Sequence, residues 1–182
     1  MFLDLLMLRL RRASLLLGLL AAPLALADSP RPGAAATPVV VEDLFGKPVA
    51  VPTGRRAVLF YEDEKSGAGN LRAHKKVAEI VDRFSGNPGF DVMIVADTQS
   101  FNYWPARGFA LKELRKIEKV EKAPVFADWT GGIVRGWKLQ RGRCSLTVLD
   151  ADGKVQFHIE GPLSERQLTE LEHVLVPEVA AR

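Results

Sequence analysis

Cys144 is the only cysteine in the 182-residue chain, and Arg141 and Arg143 stand beside it. Positive charge next to a thiol favours the thiolate, so a peroxidatic or peroxide-sensing role is one reading. A buried filler at the start of an apolar strand is the other, because free cysteines are among the most buried residues. A lone cysteine can neither close a disulfide within the chain nor run a two-cysteine redox cycle without a partner.

The second group with chemical potential is the stretch Glu62 to Asn70, "EDEKSGAGN", between an apolar run and a helical pattern. If it ends at a helix N-terminus, its free backbone N–H groups could hold an anion or a carbonyl group, with Lys65 and Arg143 supplying charge around Ser66, Gly67 and Asn70. The plainer alternative has Ser66 or a neighbouring acid capping the helix while the glycines allow the turn. A third stretch, "SFNYWPARGF" (100–109), sets Phe101, Tyr103, Trp104 and Phe109 beside Arg107. It reads either as a peptide- or partner-binding surface or as a lid folded over a sheet edge.

Other residues suggest less. His74 falls on the apolar stripe of its helix, and His158 and His173 fall on solvent faces; none has metal-ligand spacing with another or with Cys144. "DADG" (150–153) lacks the later ligands of a calcium loop and reads as a turn. Glu62, Asp63 and Glu64 are consecutive at a strand end, a poor arrangement for converging on one ion. No nucleophile-elbow, Walker or dinucleotide motif is present. No metal and no cofactor is expected. Trp129 and Trp137 are assigned to packing.

These residues need a scaffold, and the hydrophobic pattern supplies one. "VVVEDLFGKPVAV" (39–51) reads as a hairpin, and "AVLFY" (57–61) as a buried central strand. A helix follows, with Leu71, His74, Val77, Ala78, Val81 and Phe84 on one face and a stop at 86–89. "FDVMIVA" and "APVFAD" are further strands flanking a basic amphipathic helix, and "GGIVRGWKL" is a turn leading to a helix or extended segment. "SLTVLDADGKVQFHIEG" is a hairpin with Val155, Phe157 and Ile159 on one face. Ser164 to Gln167 form a capping box for a last helix burying Leu168, Leu171 and Leu175. The order implies one open mixed sheet with helices on both faces.

Composition bounds the setting. Hydrophobic residues at 47% and charged residues at 26% suit a globular domain with a real core. Arginines at 9, 11 and 12 precede "ASLLLGLLAAPLALA", and Ala25-Leu26-Ala27 fits signal-peptidase cleavage, so residues 1–27 read as a secretory signal peptide. No membrane anchor is expected after cleavage. Without these residues 22 basic side chains face 21 acidic ones, a net charge of +1 that calls for neither nucleic acid nor an anionic membrane. Residues 28–38 are expected to form a flexible lead-in, 39–176 the domain and 177–182 a tail.

The motifs "VEDLFGKPVAV", "GRRAVLFY" and "VLDADGKVQFHIEGPL", in that order, resemble the thioredoxin fold of exported TlpA-like and peroxiredoxin-like proteins, over roughly residues 39 to 175. The cysteine-free helix start, the insertion before "PVFAD" and the ending "VLDADGKVQ" are similar to periplasmic proteins of the YtfJ type. The resemblance implies an α/β, thioredoxin-like domain with an N-terminal β-hairpin. Carried over by position, the Cys-x-x-Cys of that fold falls on Ser66-Gly67-Ala68-Gly69, and its cis-proline on Cys144 or a neighbour. Serine cannot replace the reactive cysteine, because a helix N-terminus does not bring an alkoxide within reach at neutral pH. The expectation is a periplasmic or secreted binding domain without redox chemistry, whose partner is another exported protein or peptide. A single-cysteine thiol peroxidase, or another thiol-dependent enzyme, using Cys144 is the alternative.

Overall fold

The computed structural model describes residues 29–84 and 88–176. The signal-peptide and tail assignments lie outside these residues. Strands β1 (Val39–Asp43) and β2 (Pro48–Val51) form the expected hairpin. Its turn passes through Gly46 at φ +84°, a left-handed conformation that favours glycine. The Asp43 carboxylate accepts the Phe45 and Lys47 N–H groups there, at 2.9 and 2.8 Å.

The core of the molecule is β3 (Ala57–Glu62), helix α1 (Leu71–Arg83), β4 (Asp91–Asp97), helix α2 (Ala106–Glu121) and β5 (Val125–Asp128). The three strands are parallel, and β1 closes antiparallel on β5. On the other side β6 (Ser145–Leu149) pairs antiparallel with β3, and β7 (Val155–Glu160) with β6. The seven strands run in the order β2-β1-β5-β4-β3-β6-β7. β3 is buried at all but its last residue, as its unbroken apolar run requires of a central strand.

Both crossovers step the same way across the sheet, from β3 to β4 to β5. With the usual right hand this puts α1 and α2 on one face. Helix α4 (Glu165–Leu175) joins them, so that Val58, Phe60, Ile94, Val77, Leu114 and Leu171 share one core. The opposite face is covered by the short helix α3 (Gly132–Gly136) and the segment after it, with Leu59, Val95, Ile133 and the fully buried Trp137. Asp128 holds α3 in place: its buried carboxylate accepts the Gly132 and Ile133 N–H groups at 2.8 and 2.9 Å. The capping box at Ser164 and Gln167 is present as expected.

Several expectations are corrected. Residues 33–36, expected within a flexible lead-in, lie along the 153–155 segment: Gly33 N–H donates to the Val155 carbonyl at 2.8 Å, and Ala36 N–H to that of Gly153 at 2.9 Å. These bonds occupy polar groups that an edge strand would otherwise leave unpaired. The buried residues of α1 are Ala73, Val77 and Ile80, while Leu71 and Phe84 are exposed. The stripe is rotated because the helix packs on the sheet and α4, leaving His74, Ala78 and Val81 along the cleft toward α2. On β7, Phe157 packs on the three-helix face, whereas Val155, beside the register shift at Val148/Leu149, joins the opposite layer. His158 is not on a solvent face. Its side chain is 9% exposed, and its Nδ1 lies 2.9 Å from the Oγ1 of the buried Thr147.

Candidate functional site

After β3 the chain turns back over its own strand end. Asp63 Oδ1 accepts the N–H groups of Lys65 and Ser66 at 2.9 and 2.7 Å, and Ser66 Oγ accepts the Asp63 N–H at 3.0 Å. Burial alone would raise the Asp63 pKa, but these bonds and the Lys65 charge hold it below the usual carboxylate value. A single 3-10 turn, Gly67–Asn70, then leads into α1. Ser66 makes no side-chain cap bond, so that half of the capping expectation is corrected, and the neighbouring acid Asp63 takes the Lys65 and Ser66 N–H groups instead; Asn70, at the start of α1, does not cap through its side chain either.

Asn70 is fully buried, its Nδ2 donating to Glu62 Oε2 at 3.0 Å and to the Ser145 carbonyl at 3.4 Å. The Glu62 carboxylate also lies 3.3 Å from His74 Nε2. The His74 ring stacks on Phe60 with centroids 3.9 Å apart. His74 is thus the partnered, half-buried histidine its place on the helix suggests. Glu62, Asn70 and His74 tie the end of β3, the start of β6 and the first turn of α1 together.

Cys144 sits immediately before β6, across from the end of β3, and is 2% exposed. Its sulfur lies against the 3-10 turn: a β-carbon built on Gly69 would stand 2.6 Å from Sγ. Gly69 and Cys144 are therefore in direct contact. Burial pushes the Cys144 thiol pKa up, and the Glu62 carboxylate pushes it further; Arg143 opposes with a smaller effect. Arg143 and Lys65 are exposed. The Cys144 sulfur is thus covered, and its surroundings favour the thiol over the thiolate. Ser66 Oγ accepts the Asp63 N–H, and the Asp63 carboxylate beside it takes the Ser66 N–H in return.

The aromatic stretch does not join this turn through Cys144. Its Phe101, Tyr103 and Phe109 line, together with Glu62, Asp63 and Glu64, a separate groove of about 610 Å³. Ile94, Ala96, Leu114 and Val125 make its floor, and Phe101, Tyr103, Phe109 and Ile117 its walls. Of the expected binding residues only Tyr103 lines it. Lys65, Ser66, Gly67, Asn70, Arg143 and Cys144 are outside, and Trp104, 91% exposed, projects beyond the rim. Arg107 turns away to pair with Glu42 and to cover the Trp129 ring at 4.4 Å.

Sequence reasoning missed Ile117 and Thr98. Phe109, Glu113 and Ile117 recur at a helical spacing of four, a signal readable in the chain. Thr98, buried beside the groove, follows a strand and carries no such signal. No group of three or more His, Cys, Asp or Glu side chains is placed to hold a metal among the described residues. No helix among them is long and apolar enough to cross a membrane.

No family model and no curated protein matches this chain. Solved structures do. A putative thiol:disulfide interchange protein DsbE from Chlorobium tepidum superposes with a TM-score of 0.60 at 20% identity, over 81% of this chain and 97% of that one. Peroxidoxin BcpB from Mycobacterium tuberculosis gives 0.59 at 16% identity, over 84% and 99%. Thiol peroxidase from Chromobacterium violaceum gives 0.57 at 11% identity, over 82% and 88%. At such identities the similarity establishes the fold: a thioredoxin-like mixed sheet with helices, as the sequence motifs imply.

Proposed function

We propose that this chain is an exported thioredoxin-fold domain, similar in kind to the YtfJ type, that acts by binding and not by thiol–disulfide exchange. One observation carries the proposal: the turn that the resemblance sets in the place of the redox dithiol, Ser66 to Gly69, holds no cysteine, and the single thiol of the chain is buried against Gly69. Export is supported by the charge and hydropathy pattern of residues 1–27. The alternative, a one-cysteine peroxidase, needs Cys144 as a thiolate open to peroxide; burial and the Glu62 charge both work against that state.

The protein beginning at Asp28, which retains every described residue, is expected to leave insulin disulfides unreduced and to consume no peroxide at the expense of added thiol. Turnover in either assay that is lost in Cys144→Ala would overturn the proposal in favour of the thiol enzyme.

A further inference from the structure

The groove between the Glu62–Glu64 turn and α2 has three properties that do not follow from the fold. Its walls leave large apolar side chains in water, Phe109 at 68% exposure and Tyr103 and Ile117 with it. Its charged lining is of one sign: Glu62, Asp63, Glu64, Asp97 and Glu113, with no lysine, arginine or histidine among the lining residues. Finally, Thr98, only 3% exposed, lies in the lining with its Oγ1 hydrogen-bonded to nothing among the described residues.

A buried hydroxyl without a partner is costly unless something supplies one. Some of the acids are already engaged: Glu113 pairs with Lys116 at 2.8 Å, and Glu62 binds Asn70 and His74. Glu64 makes no hydrogen bond or ion pair among the described residues and remains available to a ligand. Resting on the reading of this domain as a binding protein, we infer that the groove takes an extended segment of another exported polypeptide, one in which apolar and basic side chains alternate.

The chemistry of the lining selects that occupant. An apolar floor under an acidic rim matches an apolar ligand carrying positive charge and rejects an acidic one. The wall formed by α2 from Ala106 to Ile117 is about 16 Å long at 1.5 Å per residue. An extended chain covers that length with about five residues.

The test is a fluorescence-anisotropy titration of the protein beginning at Asp28 against a labelled peptide of alternating lysine and phenylalanine, about six residues long. An otherwise identical peptide with glutamate for lysine is the comparison. The basic peptide is expected to bind at least about tenfold more tightly than the acidic one, and to weaken by a similar factor when salt rises from about 0.05 to about 0.5 M. Glu64→Lys and Phe109→Ser, both at exposed positions, are each expected to weaken it by about fivefold or more while the circular dichroism is unchanged. Equal affinity for the two peptides, absence of binding, or indifference to both substitutions overturns the inference. So does self-association of the protein that Phe109→Ser abolishes, which would give the face to a second copy. None of these outcomes involves disulfide or peroxide turnover, so failure here and failure of the non-catalytic reading are separately visible.

Discussion

Gly69 and Cys144 touch across the turn that leads into α1: the space a side chain at 69 would need is already filled by the Cys144 sulfur, 2.6 Å from where a β-carbon would be. Gly69 does not adopt a left-handed backbone, so steric fit alone governs what this position accepts. Gly69→Ala is expected to cost about 1–3 kcal/mol by overpacking. Cys144→Ala should relieve much of that loss in the double variant, giving a coupling of about 1 kcal/mol or more in a denaturant double-mutant cycle. Additive losses would mean that the two positions do not share the space.

The covered sulfur also fixes how the thiol responds to pH. Its pKa is raised by burial and by Glu62. Folded protein should therefore react slowly with a small thiol reagent through neutral pH and rapidly once denatured, as stopped-flow or mass-spectrometric labelling can follow. The linked stability is present below the ordinary thiol pKa and is lost as pH rises above it, because the unfolded chain releases that proton first. Fast labelling with an apparent pKa near 6, well below the ordinary ~8.5, would contradict the arrangement.

Asp128 is a single carboxylate on which a whole layer depends. It accepts two N–H groups of α3, and the Tyr61 hydroxyl donates to it at 3.4 Å. Burial first, then the charges of Asp128 and Asp97, push the Tyr61 phenol upward, so it stays protonated and donating. Asp128→Ala should cost about 3 kcal/mol by leaving buried donors unpaired. Tyr61→Phe should cost no more than about 1 kcal/mol. Urea unfolding of the two variants compares them directly.

His158 predicts an acid-side effect. Burial lowers its pKa below 6.5, with Glu160 partly opposing. The neutral ring is the folded form, so its contribution is intact above the unfolded value and declines as pH falls below it. An NMR titration should place His158 below a solvent-exposed histidine. The loss of stability between neutral and mildly acid pH should be smaller in His158→Gln.

How much of this was readable beforehand depended on whether one strand or helix contained its own explanation. The unbroken apolar run at 57–61 and the capping box at 164–167 did, and both elements lie where the pattern put them. Alternation along β7 marked His158 as outward, which is right for a sheet with one covered face. The segment around Trp137 and Leu139 covers the second face, and nothing in β7 itself reports that. The α1 stripe failed in phase for the same reason, since its neighbours decide which of two adjacent apolar rows is buried. At the site, the absence of cysteine from the Ser66–Gly69 turn and the place of Cys144 before a strand were legible in the chain. Their separation from the groove was not, because that depends on where α2 and the turn at Glu62–Glu64 come to rest.

Helix α2 has one consequence beyond recognition. Of its 16 residues only Leu114 is buried, while Phe109, Ile117 and Val120 remain exposed. Regions with so little buried apolar contact open locally at free energies well below that of global unfolding. Its amides should accordingly exchange with solvent before those of β3 and β6, and detachment of this helix would uncover Ile94 and Val125 while leaving the Glu62–Asn70–His74 tie intact. A molecule that spans α2 and the turn opposite would close that opening, so occupancy should register as slowed hydrogen exchange in a helix that is otherwise among the first to let go.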